Sequence, residues 1–215
     1  IGPNGAGKTT LLAQLSGFAK PDAGHIIFAG EDITAMSTAA RAKKGLARSF
    51  QITSIIADFT ALANVALAVQ SVAGHSYRFW KPAAGDGRLE GPARALLQNI
   101  GLREHADTLA GNLAHGEQRQ LEIAMALALK PQVLLLDEPM AGMGSANSQV
   151  MTEFLGSLRG HYAVVLVEHD MDAVFALADR ITVLVYGAVV ASGSPEQIRT
   201  DPAVREAYLG ANDDA

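Results

Sequence analysis

The stretch that decides the fold is Gly2-Pro3-Asn4-Gly5-Ala6-Gly7-Lys8-Thr9-Thr10. Gly2 to Thr9 fit the pattern G-x-x-x-x-G-K-[ST]. Glycines at these places let the backbone curl until successive N–H groups point at one spot, a shape that suits a phosphate. The helix expected next, Lys8 to Gly17 with Leu11, Leu12 and Leu15 on its apolar face, aims the positive end of its dipole at the same spot. Lys8 supplies a mobile cation for β- and γ-phosphates. Thr9 supplies a hydroxyl for Mg²⁺, which takes hard oxygen ligands. The stretch therefore predicts bound ATP with its Mg²⁺. A loop of this kind normally follows a buried strand, and only Ile1 precedes it here. The N-terminal strands of the fold are expected to be missing from the chain.

Outward from the loop, the apolar pattern changes twice. Lys20 to Gly24 reads as a turn, His25 to Ala29 as a strand and Leu46 to Phe50 as another. From about Thr53 to Lys130 the spacing is helical. Leu62, Val65, Ala66 and Val69 share a face, Pro92 to Ile100 reads as a helix with its proline at the start, and Glu117 to Leu129 reads as a third. Ser71 to Gly91, with Tyr77, Phe79 and Trp80, reads as a loop insertion. Then come apolar runs of strand length, Val133 to Leu136, Ala163 to Val167 and Ile181 to Val185. Helical stretches separate them, about Ser145 to Arg159 and Asp170 to Ala178. Buried strands alternating with helices predict an α/β fold with a mostly parallel sheet. The expected domains are a nucleotide-binding core, 1–52 with 131–215, and an inserted helical subdomain, 53–130, which includes the 71–91 insertion.

Composition narrows the class. Of 215 residues, 49% are hydrophobic and 18% charged, as in proteins with a substantial core. There is no cysteine, which excludes disulfides and thiolate metal sites. The formal charge of −5 argues against nucleic acid as a partner, since that needs a basic face. No apolar run approaches the roughly 18 residues of a membrane helix. Any work at a membrane is therefore expected to be that of a peripheral subunit.

Further polar residues fall at strand ends. Asp137 and Glu138 follow Val133 to Leu136, where ligands gather in α/β sheets. Asp137 is a candidate Mg²⁺ ligand and Glu138 a candidate general base for water. His169 follows the run ending at Val167 and Glu168. It reads either as a sensor of the γ-phosphate or as an ordinary surface or capping histidine. Gln51, alone, is only a polar residue after a strand. Leu113-Ala114-His115-Gly116-Glu117-Gln118 opens the third helix. It is either a plain cap or a second anion site, serving a nucleotide held by another copy.

In this order, the motifs resemble those of the nucleotide-binding subunit of an ATP-binding cassette (ABC) transporter, over essentially the whole chain. The resemblance makes Gly2 to Thr9 the Walker A loop, Gln51 the Q-loop and a further Mg²⁺ contact, and Leu113 to Glu117 the signature. Ala114, His115, Gly116 and Glu117 then face a partner's nucleotide. Val133 to Asp137 becomes Walker B, Glu138 the catalytic base and His169 the H-loop. Gly45 to Gln51, His115 to Ala124, Val167 to Met171 and the tail Asp201 to Gly210 are similar to branched-chain amino acid importers. The resemblance implies a head-to-tail pair of ATPase subunits around two ATP molecules. It also implies two membrane-spanning permease subunits, a periplasmic binding protein and a place on the cytoplasmic face of a bacterial inner membrane.

Three features differ from that family's usual pattern. Ala114 stands where a serine hydroxyl reaches the partner's γ-phosphate. One hydrogen bond to a charged group is worth about 1.5–3 kcal/mol, so the composite site is expected to be weakened. Gly144 stands at the D-loop position that usually holds aspartate. The segment with an adenine-stacking aromatic is expected to be missing with the N-terminal strands. Two alternative functions follow: an importer ATPase for another small solute such as urea or an amide, or a catalytically weak partner subunit.

Overall fold

The computed structural model describes residues 1–48, 55–72 and 86–210. In chain order the elements are α1 (Lys8–Ser16), β1 (Ile27–Phe28), β2 (Glu31–Asp32), α2 (Thr38–Lys43), β3 (Leu46–Arg48), α3 (Ala61–Val72), α4 (Gly87–Asn99) and α5 (His115–Ala128). Then follow β4 (Val133–Asp137), α6 (Ser145–Ser157), β5 (Ala163–Val167), α7 (Met171–Leu177), β6 (Ile181–Val185), β7 (Ala188–Gly193), α8 (Pro195–Thr200) and α9 (Pro202–Gly210). The chain divides into two compact units, Ile1–Ser37 with Leu166–Ala215, and Thr38–Val165.

In the first unit, Ile1 lies beside β6: its nitrogen donates to the Thr182 carbonyl at 2.9 Å, and its carbonyl accepts from Leu184 N–H at 2.9 Å. β6 and β7 pair antiparallel. Ile1, Val174, Ile181, Val183, Ile198 and Val204 form the core of this unit. The tail thus contributes to the core through α8 and α9. Ser194 starts α8, accepting from Gln197 N–H while the Gln197 side chain accepts from Ser194 N–H. This reciprocal capping box satisfies two otherwise orphaned amides. The Arg199 guanidinium stacks 4.5 Å over the Phe175 ring. The expected strand at His25 to Ala29 is shorter, Ile27–Phe28, and turns straight back into β2. Ala29 and Gly30 both take left-handed φ, 50° and 81°, the geometry of a two-residue hairpin turn. Hydrogen bonds from the Thr34 hydroxyl and amide, then from His25, hold the Asp32 carboxyl down to about 2.

In the second unit, β3 pairs parallel with β4, setting Leu46 against Val133 and Arg48 against Leu135. The sheet order is β3-β4-β5. Leu134, Leu135 and Leu136 are buried in β4, as an apolar run between two neighbours requires. In β5, however, Val164 and Val165 are 37% and 40% exposed. An apolar run sets strand propensity, but what lies over its faces sets burial. Helices α3, α4 and α5 pack together through Ala61, Leu62, Val65, Leu89, Ala93, Leu97, Leu121 and Ala124. The Asn64 side chain, wholly buried, accepts from Ile56 N–H and donates to the carbonyls of Ile56 and Thr60. It thereby pins the approach to α3 onto the helix.

Two expectations change here. Pro92 does not start its helix; α4 begins at Gly87, capped by Asp86, whose side chain accepts from Arg88 N–H. Proline lacks an N–H, so Pro92 deprives only the exposed Arg88 of its helical acceptor role. The nearby Asp86 cap sets the start instead. Both ends of the expected 71–91 insertion are also helical, since α3 reaches Val72 and α4 starts at Gly87. Tyr77, Phe79 and Trp80, like Ser49 and Phe50 at the end of the second expected strand, lie outside the described residues.

Candidate functional site

The Gly2 to Thr10 loop belongs to the first unit. Gly2 has φ 151°, and a Cβ there would meet the Leu184 carbonyl oxygen of β6. The loop's other side is tied by Gly187 N–H donating to the Ala6 carbonyl at 3.0 Å. Between these anchors, Gly5 and Gly7 take left-handed φ of 77° and 94°. Gly7 is the N-cap of α1, and no side chain caps that helix. The first amides of α1 therefore remain open to an external anion. Lys8 is buried, and its ammonium folds back to donate to the carbonyls of Gly2 at 2.7 Å and Pro3 at 3.0 Å. Asn4, Thr9 and Thr10 are exposed beside it.

His169, in the same unit, follows β5 with its side chain 66% exposed. The cap of α7 is Asp170, whose carboxylate accepts from Asp172 and Ala173 N–H. The capping reading of His169 therefore falls away. Beneath it, the buried Glu168 carboxylate accepts from His169 N–H at 3.0 Å. No local sequence pattern marks Glu168 as the acceptor of that bond.

The second unit holds the carboxylates. Asp137 ends β4 with its side chain fully buried, and the Arg48 Nη2 of β3 donates to its Oδ2 at 3.1 Å. Glu138 follows at φ 48° and is half-buried. A left-handed backbone at a non-glycine residue costs of order 1–3 kcal/mol and concentrates at functional sites. Here it turns the chain between the strand and the loop of residues 139–144. Gln51 lies outside the described residues.

The Ala114 to Glu117 segment forms the start of α5. Ala114 is the N-cap, in extended conformation. Its N–H donates to the Glu117 carboxylate at 2.8 Å, while His105 Nε2 lies 3.3 Å from the other carboxylate oxygen. This is half a capping box, because alanine has no oxygen to return the bond. Gly142, at φ 74°, leaves room for the His115 ring, and Gly116 lies close to Met143 and Asn147. The start of α5 therefore packs against the small-residue loop that follows Glu138.

The donors proposed for Mg²⁺ are hard oxygens: the exposed Thr9 hydroxyl and the buried Asp137 carboxylate. Among the described residues, no group of three or more His, Asp or Glu gathers that could hold a metal by itself. Hard oxygens are the donors Mg²⁺ takes, and it completes its shell with nucleotide phosphates and water.

Loop, helix and sheet define a P-loop nucleotide-binding protein. Residues 1–141 match the family model of the ABC transporter, and residues 188–214 match that of the branched-chain amino acid ATP-binding cassette transporter. The high-affinity branched-chain amino acid transport ATP-binding protein LivG of Escherichia coli K12 is 38% identical, over 98% of this chain and 85% of its own length. The crystal structure of the ADP conformation of MJ1267, an ATP-binding cassette of an ABC transporter, superposes with TM-score 0.82 at 28% identity. That match covers 98% of this chain and 86% of that one. A dimeric post-hydrolysis structure of the cassette MJ0796, bound to ADP and Pi, superposes with TM-score 0.75 at 26% identity, over 90% and 83%. The chain belongs to the ABC transporter family, within its ATP-binding subunits of the branched-chain amino acid type. It is an ATP-binding P-loop ATPase. Among the described residues, no helix is long and apolar enough to cross a membrane.

Proposed function

We propose that this subunit energises branched-chain amino acid uptake by binding and hydrolysing Mg·ATP, alternately closing on and releasing a second ATPase subunit. The observation that carries the hydrolytic reading is the pair Asp137 and Glu138 at the carboxyl end of β4, the second turned by its left-handed backbone. Lys8 and the loop amides hold the β- and γ-phosphates. Thr9, Asp137 and Gln51 hold Mg²⁺, which when bound screens the phosphate charge. Glu138 takes a proton from the attacking water, whose oxygen forms the new bond to phosphorus as the bond to ADP breaks. His169 contacts the γ-phosphate and reports its loss. Ala114, His115, Gly116 and Glu117 face the ATP of a head-to-tail partner, the last three through backbone amides, and a dimeric relative supports the pairing of two cassettes. Residues 53–130 act as a helical signature subdomain beside a core of 1–52 and 131–215. The site of work is the cytoplasmic face of the membrane, on two permease subunits fed by a periplasmic binding protein. Nucleic acid is not a partner.

The test is Glu138→Gln in the assembled transporter. Turnover is expected to fall about 10²- to 10⁴-fold, the usual share of a positioned base, while ATP binding survives. In the isolated ATPase subunit with the same change, ATP should hold two copies together, read as a doubled mass by light scattering. Undiminished hydrolysis would remove Glu138 from the role of base.

A further inference from the structure

Arg48 has no place in the mechanism above, yet it touches a residue that has. It sits on β3, opposite Leu135 in the parallel register, and reaches forward to Asp137 at the end of β4. The contact is 3.1 Å long, and the two side chains are 10% and 0% exposed. A carboxylate taken out of water needs a nearby opposite charge, because desolvation otherwise disfavours its ionised form strongly. A bound Mg²⁺ would meet that need too. Arg48 is attached to the chain and is present throughout.

We propose that Arg48 is the resting counter-ion of Asp137. In the nucleotide-free protein it neutralises the carboxylate, and so prevents a bare divalent cation from occupying the Asp137 end of the site. The metal then enters only with ATP, whose phosphates bring enough negative charge for a second cation to sit beside the guanidinium. Arg48 is a positioning residue in this role; it acts through Asp137. The inference rests on the reading of Asp137 as a metal ligand.

The experiment uses Mn²⁺ as the probe, counted by electron paramagnetic resonance on the full-length subunit, with and without ATP. Wild type is expected to bind Mn²⁺ with ATP and to show no binding of bare Mn²⁺ that Asp137→Asn removes. Arg48→Met is expected to gain bare Mn²⁺ binding, at least about tenfold tighter, since a unit charge beside a divalent ion outweighs such a factor at low effective dielectric. The gain should vanish in Arg48→Met combined with Asp137→Asn. Arg48→Lys keeps the charge and should stay within about twofold of wild type, by the same Coulomb reasoning. Bare Mn²⁺ held by wild type in an Asp137-dependent way would overturn the proposal, whether or not Arg48→Met folds. So would a folded Arg48→Met with unchanged bare binding, or an Arg48→Lys that gains it. If Asp137→Asn leaves Mn·ATP binding intact, the metal-ligand reading itself has failed. If Asp137→Asn weakens Mn·ATP while Arg48→Met gains nothing, the counter-ion proposal alone has failed.

Discussion

Gly2 and Gly5 stand in one motif but answer to different constraints. A Cβ at Gly2 would run into the Leu184 carbonyl, whereas a Cβ at Gly5 meets nothing within 4 Å. Gly5 needs only its left-handed φ of 77°, which costs an L-residue about 1–2 kcal/mol. Gly2→Ala must in addition push β6 away, and overpacking typically adds about 1–3 kcal/mol. Without nucleotide, thermal unfolding should therefore show Gly2→Ala losing clearly more stability than Gly5→Ala; equal losses would contradict the close approach. The motif pattern marks Gly2 correctly, but the contact that requires glycine comes from a strand far along the chain. Glu138 makes the same point. Its identity and its place after Val133 to Leu136 are legible, while its left-handed backbone is not.

At the scale of elements, local signals decide more. α1, α3, α5, α6 and α7 lie where apolar spacing puts them, to within a residue or two. The start of α4 escaped because Pro92 is a strong N-terminal signal and Asp86 is an equally local one five residues before Gly87's own helix reaches its second turn. Start signals compete, and only the assembled helix shows which prevails. α5 bears a testable consequence of its half-made cap. Ala114→Ser would supply the missing oxygen opposite Glu117 and complete the capping box, worth about 0.5–2 kcal/mol. The variant should melt higher, and, on the head-to-tail pairing proposed above, the ATPase rate at the site facing Ala114 should rise, because the added hydroxyl would reach the partner's γ-phosphate. A variant that melts at the wild-type temperature with wild-type turnover would show that Ala114 weakens neither the helix nor the composite site.

For the whole molecule, the tail is part of a core. Ile198 and Val204 are buried against Val174, Ile181 and Val183, so α8 and α9 stabilise the unit that carries the phosphate loop. Ile198→Ala should cost about 2–5 kcal/mol, as large-to-small changes do in packed cores. Chemical denaturation would read it as a lower midpoint. An unchanged midpoint would mean that the tail is only draped on the surface. The sequence resemblance singled out Asp201 to Gly210 without saying what those residues do; the packing of Val204 supplies part of the answer.

What the sequence determined by itself is the chemistry and the class. A phosphate loop and an acidic pair after an apolar run are short patterns, and each is legible within a few residues. The tertiary structure alone decided the contacts between distant residues. It placed Arg48 on Asp137, Leu184 against Gly2, His115 against Gly142 and Ile198 in one apolar cluster with Ile181 and Val183. It also left Val164 and Val165 partly exposed on an apolar strand. The physical reason is common to all of these: backbone propensity and turn chemistry act between neighbours in the chain, whereas burial and ion pairing depend on which segments meet. The phosphate loop was readable as a loop, but its anchoring belongs to the fold.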